Sequence, residues 1–421
     1  MANSIHTKSF LKQVVTLASG TVMGQLLLFI SLPFLQKYFY GPAEFGVFTV
    51  FVSISEMLIN VSGLKYEYGI VLQKRYKNAV NLLLLSIFSV TLTAVSTLLI
   101  YFCMYFFWPQ VSWVEDLGML GFLLPISIFC FGCVNAFSYW FNREQMYGRM
   151  SATKWISSVA SEPVKFASAS LPVNGLVLGR VAGQVAAFVY VFYQFMTKFG
   201  SLKKLFSGQQ VKREARANKR YPFFVMPGAF ITVLITTIYV QFFSHYFGKE
   251  QVGLLGVSVS YLGVAFGVIS TAFGQVFFKK ISDIENAKVL KELFLKFAGY
   301  LAIIAVLVVL VVYIFPEKWV ITMLGERWKD ILPVTRIMVL WISVSFVSSS
   351  LSFIHIRIGN QLGLLIIELI HLIGVVLALF GCYFYTRSFE TTLYGFTIIQ
   401  IVHYLAVILS AFYLLNRKID L

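Results

Sequence analysis

The stretch Phe39-Tyr40-Gly41-Pro42-Ala43-Glu44-Phe45-Gly46-Val47 recurs 207 positions later as Tyr246-Phe247-Gly248-Lys249-Glu250-Gln251-Val252-Gly253-Leu254. An aromatic pair, a glycine, a five-residue step to a second glycine and the apolar residue after it coincide in the two copies. Each copy lies between two long apolar runs, so each reads as a tight loop joining two helices. The shared offset predicts a duplicated chain whose halves have the same orientation, related by an axis along the membrane normal.

The rest of the sequence explains why those helices need a membrane. Of the 421 residues, 58% are hydrophobic and 12% charged, and the mean hydropathy is +0.80. A soluble domain carries roughly twice that charged fraction, so most soluble classes are excluded. At ~20 residues per span, the apolar runs predict twelve transmembrane helices, centred near residues 24, 53, 92, 129, 163, 184, 234, 264, 304, 343, 373 and 403. The predicted fold class is an all-α integral membrane protein without a sizeable soluble domain. The fifth run is the most polar, broken by Glu162, Pro163 and Lys165 and parted from the sixth only by Leu171-Pro172-Val173-Asn174. The first run, Val14 to Leu35, is too long for a signal-peptide core and is predicted to remain as a span.

Charge orients the spans. Of the 34 Lys and Arg residues, twenty-five fall in loops on the N-terminal side of the alternation, six fall on the opposite side, and Lys165, Arg180 and Arg336 fall within spans. That bias predicts both termini in the cytoplasm. The net charge of +16 is dispersed over short loops, which argues against nucleic acid as a partner, since a binding face needs its cations clustered. The longest cytoplasmic connection, residues 197–221, carries Lys203-Lys204 and Lys212-Arg213 and divides the spans six and six. It is read as a basic linker near anionic headgroups, joining residues 1–196 to residues 222–421. Cys103, Cys130, Cys133 and Cys382 all lie in apolar runs and read as packing residues. The Cys130/Cys133 pair has neither a second pair nor a histidine near it in sequence. No phosphate loop, nucleophile motif or metal-ligand spacing is legible, so no cofactor, metal or enzymatic activity is predicted.

The opening Leu17-Ala18-Ser19-Gly20-Thr21, then Gln25, Pro33, the loop at Tyr40 to Gly46, and Leu64-Lys65-Tyr66-Glu67-Tyr68-Gly69-Ile70-Val71-Leu72 resemble Wzx-type polysaccharide flippases of the multidrug/oligosaccharidyl-lipid/polysaccharide exporter superfamily. Gly69 and Gln73 stand where that family is expected to carry Ala and Pro. The resemblance covers the chain in topology and is sharp over about the first 80 residues. It implies two six-helix lobes around a central cavity, alternating between inward-open and outward-open states. The implied cargo is an undecaprenyl-diphosphate-linked oligosaccharide, carried to the outer leaflet of a bacterial inner membrane, with a glycan polymerase of the same pathway as a possible partner.

Moving a diphosphate through ~30 Å of hydrocarbon requires a cationic path. Lys165 and Arg180 are the deepest cations and are the substrate-binding candidates, although Glu162, three residues before Lys165, could neutralise it structurally. Glu56 and Glu368 are candidates for coupling to H+ or Na+, because a carboxylate in a low-dielectric setting holds a proton more readily. His371, on the same helical face as Glu368, and His403 read as cavity or packing polar groups. Gly20/Gly24, Gly175/Gly179/Gly183 and Gly263/Gly267 form small-residue faces suited to close helix packing, and Pro33, Pro125, Pro163, Pro227 and Pro333 could each bend a span. Two other functions compete. A glycan polymerase or ligase would present a substantial external loop with basic catalytic residues, whereas the longest here, Pro316 to Asp330, has about fifteen residues. A drug/cation antiporter of the same superfamily would present an anionic cavity.

The charge bias generates a topology test. With Ser201→Cys and Lys318→Cys made separately, an impermeant thiol reagent added to intact cells should label only the second; labelling of the first overturns the orientation.

Overall fold

The computed structural model describes residues 22–199, 207–282, 286–352, 354–355 and 361–419. The motif Leu17 to Thr21, the tail lysines Lys8 and Lys12, Gly20, and Lys203-Lys204 lie outside the described residues. Among the described residues the elements are helices. The first runs over residues 22–38 (α1). It is followed by α2 (Pro42–Ser62), α3 (Glu67–Leu72), α4 (Tyr76–Phe107), α5 (Ser112–Leu117), α6 (Leu124–Arg143), α7 (Tyr147–Ala167), α8 (Gly175–Phe199) and α9 (Gly208–Ala217). The chain continues through α10 (Met226–Phe247), α11 (Lys249–Ser282), α12 (Ala287–Ile314), α13 (Glu317–Leu324), α14 (Ile331–Leu351), α15 (Gln361–Thr386) and α16 (Phe389–Ile419). Nine of the described helical segments are long and apolar enough to cross a membrane. The other three predicted runs are helical too, in α1, α7 and α11. The chain divides into two compact units that part between His245 and Tyr246.

The repeated loops open corresponding helices but differ in backbone at the matched glycine. Helices α2 and α11 begin at Pro42 and Lys249, the same 207 positions apart as the motifs that precede them. Phe39 packs edge-on to Phe166 at the end of α7, and Tyr246 packs on Phe380 and Tyr383 near the end of α15, the fifth predicted span of each half. Gly248 has φ +84, a backbone state open to glycine at little cost. Gly41 is extended at φ −87, and its amide is held by the Glu44 carboxylate at 2.9 Å, closing the first turn of α2.

In the N-terminal unit, α4, α6 and α8 enclose Trp140, Phe141, Phe137, Phe195, Leu82 and Val90. Ser127 of α6 bonds Gln184 of α8 at 2.7 Å. The short helix α3 rests on this core because Gly69 leaves room: a Cβ there would lie 3.0 Å from Leu82 and 3.1 Å from Tyr221. An alanine at this position would press on both side chains, so the departure from the expected family residue has a local steric reason. Leu64 and Lys65 both take left-handed backbone (φ 49 and 59) to turn the chain from α2 into α3. Burial there pushes the Glu67 carboxyl up from its ordinary pKa.

The basic linker is structured from Ser207 onward. Ser207 caps α9 by accepting from the Gln210 amide at 3.4 Å, and Gln210 donates to Asn78 of α4 at 3.2 Å. Glu214 and Asn218 are buried on the docked face, while Lys212, Arg213, Arg216, Lys219 and Arg220 are exposed.

In the C-terminal unit α14 is central, packing against α11, α12 and α16. Ser258 and Thr335 pair at 2.8 Å between α11 and α14, and Trp341 of α14 stacks parallel to Tyr404 of α16. Arg336 braces an end of α12: it reaches Glu317 at 3.0 Å and the carbonyls of Tyr313 and Phe315 at 3.4 Å. Pro333 falls in the first turn of α14, where a missing N–H removes no helical bond, whereas Pro125 and Pro227 follow a 3-10 turn over Gly118–Leu123 and a π turn over Tyr221–Val225 that run directly into α6 and α10. Pro163 lies inside α7. The four cysteines are unpaired thiols, and Cys133 belongs to the N-terminal core.

The glycine face of α8 is used for close approach. A Cβ on Gly183 would sit 2.5 Å from the Ser157 carbonyl of α7, and one on Gly179 would sit 2.8 Å from the Ser161 carbonyl. Around Gly263 of α11, nothing among the described residues lies within 4 Å of such a Cβ. Gly183→Val is therefore expected to destabilise the protein by about 1–3 kcal/mol, read as a lower midpoint in a thermal melt of the detergent-purified protein. Gly263→Val should melt close to the parent; equal losses from both would remove the packing argument.

Candidate functional site

The N-terminal unit collects four intramembrane charges from three helices. Glu162 and Lys165 are one turn apart on α7 and pair at 2.6 Å, and the Ser31 hydroxyl of α1 donates to the other carboxylate oxygen at 2.6 Å. Both charged side chains are 8% exposed. Gly179 of α8 makes room for the lysine stem, which lies directly against it. The next residue, Arg180, pairs with Glu56 of α2. This second pair is more open, with side-chain exposures of 23% for Arg180 and 42% for Glu56. The cluster thus has two cations and two carboxylates in two layers, one enclosed and one accessible.

The loop that precedes α2 fixes the frame. Tyr40 of the Tyr-Gly-Pro loop donates its hydroxyl to the Lys165 carbonyl at 2.6 Å, near the end of α7 where a helix leaves carbonyls unpaired. Asn174 caps α8, accepting from the Leu176 amide at 3.1 Å, and donates its amide to the Glu44 carbonyl at 2.7 Å. The α7–α8 hairpin is therefore clasped by the loop that opens α2.

The C-terminal unit holds a different cluster. Glu368 and His371 are one turn apart on α15, with a carboxylate oxygen 3.8 Å from Nδ1 of His371. His403 of α16 brings Nε2 to 3.6 Å from the other oxygen of the same carboxylate. The two imidazoles stack with centroids 3.7 Å apart and planes 9° from parallel, and Tyr404 closes one side at 4.9 Å from His403. The histidine side chains are 4% and 5% exposed, and Glu368 is 24% exposed. Both nitrogens of His371 and Nδ1 of His403 are buried without a hydrogen-bond partner. The ligating atoms of the three residues lie within 4.8 Å of one another.

All seven residues singled out from the sequence fall in these two clusters, four in the first and three in the second. Sequence reasoning missed Ser31 and Tyr40 as partners of the inner pair; the place of Tyr40 in the repeated loop was the available signal. It also found no metal-ligand spacing, whereas the structure gathers Glu368, His371 and His403 into one group. His403 lies 32 positions beyond His371, and only the packing of α16 on α15 brings it to Glu368. One further relation follows from the coordinates. Glu162-x-x-Lys165 and Glu368-x-x-His371 lie 206 positions apart, on the helix that each aromatic loop contacts. The two glutamates nonetheless sit at different heights, Glu162 five residues before the end of α7 and Glu368 eighteen before the end of α15, and the partner one turn on is a lysine in the first case and a histidine in the second.

Residues 17–333 match a family described as "Polysaccharide biosynthesis protein". The match includes the whole first cluster and ends before the second. Among curated proteins none matches. Solved structures share the fold at low identity. A lipid II flippase, MurJ, in an inward closed conformation is 12% identical, with TM-score 0.72 over 94% of this chain and 87% of that one. An inward-facing multidrug resistance MATE family transporter of the MOP superfamily is 14% identical, with TM-score 0.63 over 96% and 95%. A MOP superfamily transporter from Pyrococcus furiosus, described as having a binding pocket of reverse polarity, is 14% identical, with TM-score 0.62 over 97% and 96%.

The enclosed pair makes a stability prediction. Removing one partner of a buried ion pair costs about 3–5 kcal/mol, whereas replacing both with apolar groups is near neutral or stabilising. Glu162→Ala is expected to lower the melting midpoint sharply, and the double replacement Glu162→Leu with Lys165→Met to recover most of the loss. A double variant as unstable as the single one would show that Ser31 and Tyr40, rather than the charge pair, set the stability here.

Proposed function

Because the chain belongs to the polysaccharide biosynthesis protein family, we propose that it is a flippase. It moves an undecaprenyl-diphosphate-linked oligosaccharide from the inner to the outer leaflet of a bacterial inner membrane, coupled to entry of H+ or Na+. The working unit is two six-helix lobes, residues 1–196 and 222–421, joined by the linker 197–221, with both termini cytoplasmic and a central cavity that opens alternately to each side. A glycan polymerase that consumes the flipped unit is its natural partner.

The observation that carries this reading is the accessible Arg180–Glu56 pair. A guanidinium presents a planar fork that suits phosphate as well as carboxylate. An arriving diphosphate competes with Glu56 for Arg180. Once displaced, Glu56 is an unpaired carboxylate among apolar helices, a state that strongly favours capture of a proton or sodium ion. Cargo binding and cation binding then favour each other at adjacent groups, which is the linkage a coupled exporter needs. Lys165 is enclosed with Glu162 as a neutral pair and does not touch cargo. Glu368 is the second coupling candidate, and Glu56 is preferred because it is bonded to the cargo-binding cation. The pairing of Arg180 also speaks against a cation antiporter, whose cavity is served better by free carboxylates.

The test uses proteoliposomes with a labelled lipid-linked glycan. Arg180→Ala should abolish outward movement, and Arg180→Lys should keep part of it, retaining the charge without the fork. Glu56→Gln should remove the response to imposed pH or sodium gradients while leaving cargo binding intact. Transport by the parent that follows voltage but ignores both gradients eliminates the coupling, and full activity in Arg180→Ala eliminates the site.

A further inference from the structure

We propose that Glu368, His371 and His403 form a binding site for a divalent first-row transition-metal ion of the zinc type, bridging α15 and α16. The inference stands on this cluster alone and does not use the transport reading.

The first argument is charge. In the N-terminal unit the buried Glu162 is neutralised by Lys165 and satisfied by Ser31. Glu368 has no such partner: among the described residues, the basic groups within 4 Å of it are the two imidazoles. With neutral imidazoles the cluster carries one uncompensated negative charge, in a span where an isolated ion is costly. A bound cation removes that cost.

The second argument is donor chemistry. Two imidazole nitrogens and one carboxylate oxygen are the ligand set of open zinc sites and of facial-triad metal sites, whereas sodium and magnesium favour all-oxygen cages. Glu-x-x-His places two ligands on one helical face, and a neighbouring helix supplies the third. The facing atoms are Nδ1 of His371 and Nε2 of His403, 3.8 and 3.6 Å from the two oxygens of Glu368. Bonds of about 2.0–2.2 Å in a tetrahedron put ligand atoms about 3.3 Å apart, and one ligand atom from each residue lies within 4.8 Å of the others, so closure needs a contraction of up to about 1.5 Å and a tilt of the stacked rings.

The third argument is satisfaction. Nδ1 of His371, the nitrogen facing the carboxylate, is buried and has no hydrogen-bond partner. A buried polar atom left unpaired is costly, and coordination gives this one a partner. The exposed edge of Glu368 supplies an entry path and leaves the fourth position to water.

The other groups facing the cluster fit the same reading. Tyr404, also of α16, lies beside both rings and is neutral. Trp341 of α14 stacks behind it. Neither brings a charge that would compete with the ion.

The experiment uses the full chain, purified in detergent, freed of its affinity tag and stripped of metal with a chelator. Co2+ titration should give visible d–d absorption that saturates at one ion per chain, and Zn2+ should displace it stoichiometrically. His371→Gln and His403→Gln should each weaken Co2+ binding at least tenfold, while His245→Gln leaves it unchanged. Each variant is accepted only if it elutes as the parent does. Should the variants fail to fold, zinc K-edge absorption on the parent decides: two imidazole nitrogens and a carboxylate oxygen support the site, and a shell of sulfur or of water oxygens alone overturns it. No saturable Co2+ band, or a band that persists unchanged in His371→Gln and His403→Gln, also overturns it and leaves the cluster as a proton or sodium site.

Discussion

An ion placed among apolar helices must carry its counter-ion with it, and the N-terminal unit is arranged around that requirement. Lys165 and Glu162 are enclosed together on α7, which makes α7 too polar to rank with the nine apolar spans. Such a helix holds its place only if its neighbours come close. The glycines of α8 allow backbone approach, Ser31 satisfies the carboxylate, and Tyr40 satisfies the carbonyl of Lys165 itself. Arg180 and Glu56 then fall at the accessible edge of the same arrangement because Arg180 follows the glycine that the lysine lies against. Packing and the candidate binding group are consequences of one buried pair.

The two halves of the chain solve the same problem in different ways. A lysine paired at 2.6 Å with a carboxylate one turn away is a standing brace. A histidine is a conditional one: it is neutral or charged according to what approaches it, and when neutral it can ligate. Glu162 and Glu368 therefore differ in their partners: the first is closed on a lysine, and the second faces two imidazoles. A duplicated framework with one fixed and one exchangeable charge gives asymmetry to an otherwise symmetric plan.

Much of the framework was legible in the sequence because it is local. Apolar run length sets a helix, and the aromatic-glycine loops set where α2 and α11 begin, at the offset that the sequence carries. The deep charges were legible because they are rare in such a composition. Their partners were less so. Ser31 lies 131 positions from Glu162, and Glu56 lies 124 from Arg180. Which residues meet over such separations depends on the rotation of each helix about its axis, and helices apolar on all sides carry little periodicity to reveal it. The same holds for small-residue faces: Gly179 and Gly183 touch α7 while Gly263 faces open space, although the spacing is alike. Glu162 with Lys165 and Glu368 with His371, each one turn apart on a single helix, could be paired from spacing alone.

The equal count of cations and carboxylates in the N-terminal cluster bears on how membrane voltage acts on the protein. A group of four charges that sums to zero has little energy to gain or lose when it shifts as a body across the electric field. In a carrier built this way, the N-terminal cluster adds little voltage dependence to the unloaded return. A cargo diphosphate that enters unaccompanied adds about two negative charges, and each is worth about 2.3 kcal/mol per 100 mV; a cation captured at Glu56 cancels one of them. The same neutral cluster can therefore rectify, idle with respect to the field when empty and driven by it when loaded, with the stoichiometry of captured cations setting how strongly the field drives each cycle.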